Sequence, residues 1–298
     1  MGCIQSHFPD IIGNESKYRI IQEITKGGFS EVFECNDCSN VKKVAVKLMN
    51  VNTKEELNRV NTEVEVFNEF KHVPEIVNLL EYIDNNPKHY LVFPMYYNGT
   101  IDKQLEQMKK SGSYYDENTV IQYFVQMCKA VIEMHKKGWA HRDLKPGNLL
   151  LDDGKVHCLL TDLGSAARVP YEIPDAKSHY KYKDDAEENC SMAYRAPELF
   201  SCDIGSTITS AIDVWSMGCC LYAFCFFESP FDKVYEQGGS IALAVQSPHR
   251  INYPDNAPFR TEIIDLIKRM LVVEVDERIS AEEALKVATK ILEDIKNH

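Results

Sequence analysis

The sequence predicts an α+β chain in which a small, mostly β part is followed by a larger, mostly helical part. Residues 17–50 form a run of strand-like segments separated by turns. From about residue 117 the apolar residues recur at the spacing of a helix, and most of the remaining chain is predicted to be helical. The 298 residues are enough for one large core or two modest lobes.

The strand-rich part contains a glycine turn and a lysine at a strand end. Ile24 and Val32 lie in two strand-like segments joined by Gly27-Gly28-Phe29-Ser30, and Val44-Ala45-Val46-Lys47 forms a further strand. Glycine has no Cβ atom, so backbone at this turn can lie close to a ligand. A Gly-Gly hairpin turn is also common without a ligand, so the turn alone is weak evidence.

A helix is predicted after these strands. Thr53-x-x-Glu56 is a capping box, and the apolar residues that follow at helical spacing are Leu57, Val60, Val64 and Phe67. Glu63 lies on this helix, and Glu65 points to a different side of it. A strand-like run, Tyr90-Leu91-Val92-Phe93, then leads into Pro94 and Met95.

The second part begins with a long helix that ends near Gly138. Leu149–Leu151 and the segment from Val156 to Leu160 predict a short hairpin that precedes Asp162. Ser280-x-x-Glu283 is a second capping box and begins a final amphipathic helix.

The chemistry is carried by His141-Arg142-Asp143-Leu144-Lys145-Pro146-Gly147-Asn148, followed by Asp162-Leu163-Gly164. Transfer of a γ-phosphoryl group to a hydroxyl needs one carboxylate to orient the acceptor and further oxygen ligands for Mg²⁺. Mg²⁺ favours a few protein oxygens plus substrate phosphate, so one amide and one carboxylate suffice. These motifs, in this order, predict a phosphoryl-transfer site, although any single triplet could occur by chance in a surface loop.

Composition limits the partners and the compartment. The formal net charge of −12 argues against nucleic acid and against unaided electrostatic binding to acidic membranes. We find no secretory signal and no apolar run of membrane-spanning length. The ten cysteines are scattered, as expected in a reducing compartment. Cys35 and Cys38 have zinc-like spacing; we interpret them as reduced thiols, with a metal or redox site as the alternative.

The N-terminal residues match the N-myristoylation pattern, with Gly2 as the acceptor and Ser6 at the hydroxyl position. Cys3 is placed for palmitoylation. One myristoyl chain binds membranes with an association constant of only about 10⁴ M⁻¹, so a second chain matters for stable attachment. We predict an acylation segment over residues 1–17, with an unmodified, frayed terminus as the alternative.

Together these motifs resemble the eukaryotic protein kinase family over nearly the whole chain. The resemblance implies a two-lobed kinase domain over residues 18–295. Its small, mostly β lobe with one helix would cover about 18–94, and its larger, mostly α lobe about 98–295. It also implies ATP and Mg²⁺ as cofactors and proteins as substrates. Lys145, two residues after the base, favours Ser and Thr hydroxyls over those of Tyr as phosphate acceptors.

The resemblance also assigns site residues by position. Asp143 would be the base, Lys145 would offset charge on the transferred group, and Asn148 and Asp162 would hold Mg²⁺. Lys47 would pair with phosphates and with Glu63, while Thr25 and Ser30 occupy two positions where kinases have loop glycines. The residues placed at the nucleotide are Ile24, Gly27, Gly28, Phe29, Ser30, Val32, Lys47, Glu63 and Met95.

Further positions are implied to be structural. Asp213 would brace the catalytic loop through backbone hydrogen bonds, and Arg278 would pair with Glu198. Ser191 would lie near the catalytic Asp and Lys. Between Asp162 and Ala196-Pro197-Glu198 lies an activation segment with an acidic run, Asp184, Asp185, Glu187 and Glu188. Either a phosphate added there pairs with Arg142, or the acidic run already satisfies the nearby basic groups.

The turn at 27–30, Leu163, Pro94 and the run from Tyr194 to Phe200 resemble the Numb-associated kinase group, and the N-terminus resembles its myristoylated and palmitoylated type. This implies autophosphorylation, an extra helix in the activation segment, and a location in the cytoplasm and at the cytoplasmic face of Golgi or plasma membranes. We expect a monomer or a transient dimer.

Two other function classes compete with this interpretation. The incomplete glycine loop favours a pseudokinase that binds without turnover, whereas intact Lys47, Asp143, Asn148 and Asp162 oppose it. A small-molecule kinase of related fold is opposed by the activation segment and Ala196-Pro197-Glu198, which build a platform for peptides.

Overall fold

Residues 10–254 and 258–297 are described by the computed structural model, in which the chain divides into two units, Met1–Tyr97 and Asn98–His298. The two predicted acylation sites, Gly2 and Cys3, lie outside the described residues. No helix in the described ranges combines the length and the apolar character needed to cross a bilayer.

The described residues of the first unit form an antiparallel sheet and one helix, as predicted. The sheet has six strands in the order β1-β2-β3-β4-β6-β5. Its strands are β1 (Ile11–Ile12), β2 (Lys17–Lys26), β3 (Glu31–Asp37), β4 (Lys42–Asn50), β5 (Glu81–Asn85) and β6 (Lys88–Pro94). The helix is α1 (Lys54–Glu69).

Strand β1 precedes residue 18, the position at which the sequence places the start of the folded domain. Ile11 pairs with Tyr18 on β2, and both side chains are buried in the core on one face of the sheet. The sheet therefore includes part of the segment that was assigned to acylation. A two-residue strand has too short an apolar pattern to be recognised from sequence alone.

The alternation of side chains along β4 separates the core of the sheet from the site. Val44, Val46 and Leu48 belong to the buried core cluster. Successive residues of a strand point to opposite faces, so Lys47 lies on the other face. On β6, Phe93 contacts Phe67 of α1, with ring centroids 5.0 Å apart. Helix α1 thus packs on the face that carries Lys47.

Helix α1 begins with the predicted capping box. The Thr53 side chain accepts from the Glu56 backbone, and the Glu56 side chain accepts from the Thr53 backbone. The predicted apolar stripe is wrong at Leu57, which is exposed. The helix instead buries Val60, Glu63, Val66 and Phe67. The buried stripe therefore differs from the predicted one: it includes an acidic residue, Glu63, and excludes Leu57.

The described residues of the second unit are mostly helical. Its helices are α2 (Ile101–Ser111), α3 (Glu117–Lys136), α4 (Ala176–Asn189), α5 (Glu198–Ser201), α6 (Ala211–Phe226), α7 (Asp232–Glu236), α8 (Ile241–Ala244), α9 (Thr261–Met270) and α10 (Ala281–Lys296). Its short strands are β7 (Trp139–Ala140), β8 (Leu149–Leu151), β9 (Cys158–Leu160), β10 (Ala167–Arg168), β11 (Tyr171–Glu172) and β12 (Thr207–Ile208). Strands β8 and β9 pair as the predicted hairpin, and Ser280 caps α10.

Helix α6 lies at the centre of this unit and is buried on every side from Ile212 to Phe226. A helix that is apolar all round is a core element. A Cβ atom at Gly218 would lie 2.9 Å from Met270 Cβ and 2.9 Å from Leu271 Cδ2. Glycine at this position therefore allows α6 to pack closely against the end of α9.

Candidate active site

The catalytic loop, His141 to Asn148, runs between β7 and β8 and is fixed by a carboxylate from α6. Asp213 is fully buried, and its two oxygens accept from the backbone N–H groups of His141 and Arg142, each at 2.8 Å. Arg142 has a φ of 70°, a left-handed conformation that a non-glycine residue adopts only where its surroundings hold it. The predicted brace is confirmed.

Asp213 also contacts a residue that the sequence did not indicate. His135 Nε2, near the end of α3, lies 2.8 Å from Asp213 Oδ2. Burial alone would raise the pKa of the Asp213 carboxyl. Hydrogen bonding to His135 and to the Arg142 backbone lowers the pKa by more than burial raises it, so the net pKa is below its ordinary value. A lone histidine near a helix end carries no signal of such a role, which depends on α6.

The carboxylate of Asp143 is held by three donors. Its Oδ1 accepts from the backbone N–H of Ser191 at 2.7 Å. Its Oδ2 accepts from Lys145 Nζ at 2.7 Å and from Asn148 Nδ2 at 3.1 Å. Asp143 is 6% exposed, so these bonds fix the orientation of a nearly buried carboxylate.

Lys145 links the catalytic loop to the end of the activation segment. Besides its contact with Asp143, its Nζ donates to Ser191 Oγ at 2.7 Å. Ser191 therefore contacts both residues, as the resemblance implied, and the second unit brings together Asp143, Lys145 and Asn148.

Asn148 and Asp162 are brought close by the backbone between them. The N–H of Thr161 donates to Asn148 O at 3.0 Å, and Asp162 follows with a left-handed φ of 57°. Leu163, which stands where kinases have Phe, is fully buried. The residue after Asp162 is thus anchored in the core of the unit.

The donor chemistry of these two residues fits Mg²⁺. Asn148 uses its amide nitrogen for its bonds to Asp143 O and Oδ2, which leaves the amide oxygen as the group that can bind a cation. Together with the carboxylate of Asp162 this gives two hard oxygen ligands. Within residues 10–254 and 258–297, no group of three or more His, Cys, Asp or Glu side chains is arranged as a metal site.

The activation segment contains helix α4, the extra helix that the resemblance implied. From this helix Asp185 Oδ2 lies 2.5 Å from Arg142 Nη2, and the Tyr182 ring lies 4.9 Å from the guanidinium carbon. Burial lowers the pKa of Arg142, but the neighbouring Cys190, Tyr182 and Asp185 raise it above its ordinary value. One residue of the acidic run thus pairs with the buried arginine.

The predicted pair between Arg278 and Glu198 is also present. Arg278 Nη1 and Nη2 donate to the two oxygens of Glu198 at 2.7 and 3.0 Å. The Arg278 side chain is fully buried and also donates to the backbone oxygens of Val272 and Ala211. A bidentate arginine of this kind fixes the Ala196-Pro197-Glu198 segment.

In the first unit, Lys47 and Glu63 form an ion pair of 2.7 Å, with side chains 14% and 1% exposed. A buried acid next to a nearly buried lysine is consistent with the predicted partner. Glu65 is exposed.

The glycine turn lies between β2 and β3 in the same unit. Gly27 N donates to Ser30 O at 2.8 Å, and Gly28 lies within this turn. Phe29 at its tip is 59% exposed. Ile24 and Val32 are half-buried on the two strands, and Met95 is half-buried after β6.

The cysteine pair does not form a site. Cys35 is fully buried in the core of the sheet, and burial raises the pKa of its thiol to about 12. Cys38 is exposed. These opposite environments support the interpretation of Cys35 as a packed thiol rather than a metal ligand.

Comparisons with known proteins agree with the arrangement of these residues. The profile of the protein kinase domain matches residues 18–288. Serine/threonine-protein kinase 16 of Homo sapiens is 32% identical over 281 residues, which cover 93% of this chain and 90% of that protein. The Rattus norvegicus protein of the same name has the same identity and coverage. Serine/threonine-protein kinase ppk13 of Schizosaccharomyces pombe is 29% identical over 309 residues, covering 91% of this chain and 90% of that protein.

The brace by Asp213 can be tested through stability. Asp213→Asn should lower the free energy of unfolding by about 1–3 kcal/mol at pH 7, because one buried backbone N–H loses its acceptor.

The pKa of Asp213 is lowered in the folded chain, so its ionised carboxylate stabilises the fold above about pH 4. This stabilisation should be lost as the pH falls through the folded-state pKa. Denaturant unfolding at several pH values measures both effects. Exposed Asp203→Asn is the matched control, and equal stability of Asp213→Asn and wild type at pH 7 would contradict the assignment.

Proposed function

This chain belongs to the protein kinase family and is a serine/threonine protein kinase, and we propose that Asp143 is the base of its phosphoryl transfer. The observation that carries this proposal is the set of three donors around the Asp143 carboxylate. A carboxylate has about four lone-pair positions, so one remains for the hydroxyl of a protein substrate. The bound hydroxyl would be oriented toward the γ-phosphorus, and its proton would pass to Asp143.

Lys145 and Ser191 have supporting roles in this proposal. The ammonium group of Lys145, held between Asp143 and Ser191, places a positive charge beside the acceptor hydroxyl. A preorganised charge stabilises negative charge that develops on the transferred group. The Ser191 backbone fixes the other oxygen of Asp143, so order in the activation segment would favour a productive base.

The metal and the nucleotide would be bound by the residues that the sequence indicated. Asn148 Oδ1 and the Asp162 carboxylate would hold Mg²⁺, which neutralises phosphate charge when bound. Lys47, oriented by Glu63, would pair with the α- and β-phosphates. The backbone of Gly27, Gly28, Phe29 and Ser30 would cover the phosphates. Ile24, Val32 and Met95 would contact the adenine of ATP.

We also infer that this kinase is active without a phosphate on its activation segment. Arg142, which a phosphate would otherwise engage, already has a carboxylate partner in Asp185 and an aromatic partner in Tyr182. This arrangement favours the alternative in which the acidic run already satisfies Arg142 over the one in which an added phosphate pairs with it. Autophosphorylation then follows from activity and is not needed to start it.

Membrane attachment through Gly2 and Cys3 completes the proposal. Its support is the match of the N-terminal residues to the acylation pattern. Two acyl chains would hold the enzyme at the cytoplasmic face of Golgi or plasma membranes, where its protein substrates would be met.

The role of Asp143 is tested with Asp143→Ala. Loss of the base should reduce incorporation of labelled phosphate to background while the affinity for Mg²⁺ and ATP stays within about twofold, because Asp143 does not hold the nucleotide. Wild type and variant are incubated with labelled ATP, alone and with a basic protein, and the phosphosites are mapped. Phosphorylation that persists in the variant would remove Asp143 from this role. Binding without turnover in wild type would instead identify a pseudokinase.

The role of Asp185 is tested by removing its charge. Asp185→Asn should lower kcat about three- to tenfold, because a charge-assisted contact worth about 1 kcal/mol is lost in the segment that carries Ser191. Exposed Asp184→Asn is the matched control and should behave as wild type. Phosphatase-treated wild type should keep its activity, and a loss of activity on that treatment would support the phosphate alternative.

Acylation is tested by the intact mass of protein made in a eukaryotic host. Wild type should carry a myristoyl group, and Gly2→Ala should carry none and stay in the soluble fraction. Cys3→Ser should bind vesicles with an association constant of about 10⁴ M⁻¹, the strength of one chain. An unmodified wild-type N-terminus would exclude this part of the proposal.

A further inference from the structure

The glycine turn contacts helix α1 through the side chains of Phe29 and Arg59. The guanidinium carbon of Arg59 lies 4.4 Å from the centroid of the Phe29 ring. We propose that Arg59 is a positioning residue that holds the phosphate-covering turn through Phe29. The inference rests on the nucleotide-binding role proposed for this turn.

The turn needs an external contact because its own bonds fix only its internal shape. The Gly27–Ser30 hydrogen bond and the Lys26–Glu31 ion pair of 2.5 Å both join residues of the same hairpin. The register between β2 and β3 also shifts between Glu23 and Thr25. These contacts leave the position of the turn relative to α1 to other groups.

A cavity beneath the turn shows why the Phe29–Arg59 contact matters. The cavity has a volume of about 230 Å³ and is lined by the turn, by the end of β4 and by α1 residues including Glu56, Arg59 and Val60. Along this space the turn is not supported by close packing. Phe29 and Arg59, which both line the cavity, connect its two sides directly.

The chemistry of the pair suits this task. A planar guanidinium stacks on an aromatic face, and the attraction is worth about 0.5–1 kcal/mol at an exposed site. Glu56, three residues before Arg59 on the helix, interacts with its charge. The cation thus has an acidic neighbour within α1, and it contacts the Phe29 ring while that ring stays exposed.

The contact also couples the turn to Lys47. Arg59 and Glu63 are four residues apart on α1, so they lie on the same side of the helix. Glu63 pairs with Lys47, while Arg59 contacts Phe29. One helix segment therefore holds both the lysine and the turn, and a shift of α1 would move them together.

A double-mutant cycle tests the proposal. Phe29→Leu removes the aromatic face, and Arg59→Gln removes the charge. Each should raise the KM for ATP about two- to fivefold, the ratio expected for one exposed cation–π contact, with kcat for a protein substrate changed less. The KM of the double variant should be no higher than that of the more impaired single variant. Phe29→Tyr should keep most of the affinity, whereas Arg59→Lys, which keeps the charge but lacks the planar group, should keep only part of it. Effects that multiply in the double variant, or singles equal to wild type, would overturn the proposal.

Binding of Mg²⁺ with a non-hydrolysable ATP analogue measures the same coupling between Phe29 and Arg59 if the enzyme does not turn over. Failure of the proposed catalytic roles therefore leaves the cycle informative.

A control variant and a melting temperature separate a positioning role of Arg59 from a general effect of its charge or of stability. Lys71→Gln, an exposed charge change in the same unit, controls for the general loss of one positive charge. A fall in the melting temperature of Arg59→Gln with unchanged nucleotide affinity would assign Arg59 a structural role and contradict the inference.

Discussion

The buried carboxylate of Asp213 is the interaction on which the catalytic geometry depends. An ionised group inside a protein is costly unless hydrogen bonds replace its water. Asp213 meets this requirement with two backbone N–H groups and His135, all at 2.8 Å. Because α6 is buried on every side, the catalytic loop is tied to a helix in the core of its unit. The left-handed conformation of Arg142 and the placement of Asp143 follow from this attachment.

Paired charges recur wherever a functional segment must be held. Lys47 is oriented by Glu63, the Ala196-Pro197-Glu198 segment is fixed by Arg278, and α4 is attached through Arg142. A buried ion pair adds little stability compared with apolar packing, and loss of one partner is costly. These pairs therefore specify the conformation of each segment more than they stabilise the fold.

Local patterns were sufficient to predict much of this structure. The capping box at Thr53, the N-cap at Ser280, the β8–β9 hairpin and the pairing of Lys47 with Glu63 follow from spacing within short stretches or from shared motifs. Other features were missed: β1 is too short to show a pattern, and the stripe predicted for α1 includes the exposed Leu57 and omits the buried Glu63. His135 and Arg59 acquire roles only through partners on other elements.

The acidic run shows how folding resolves an ambiguity that composition cannot. Four acids lie between positions 184 and 188, and any of them is chemically able to pair with Arg142. Helix α4 distributes them around its axis, so residues three or four apart share a face. Tyr182 and Asp185 are such a pair, and both contact Arg142. Asp184, Glu187 and Glu188 are exposed. The buried Tyr182 fixes the rotation of the helix, and that rotation selects Asp185 as the carboxylate that meets the arginine.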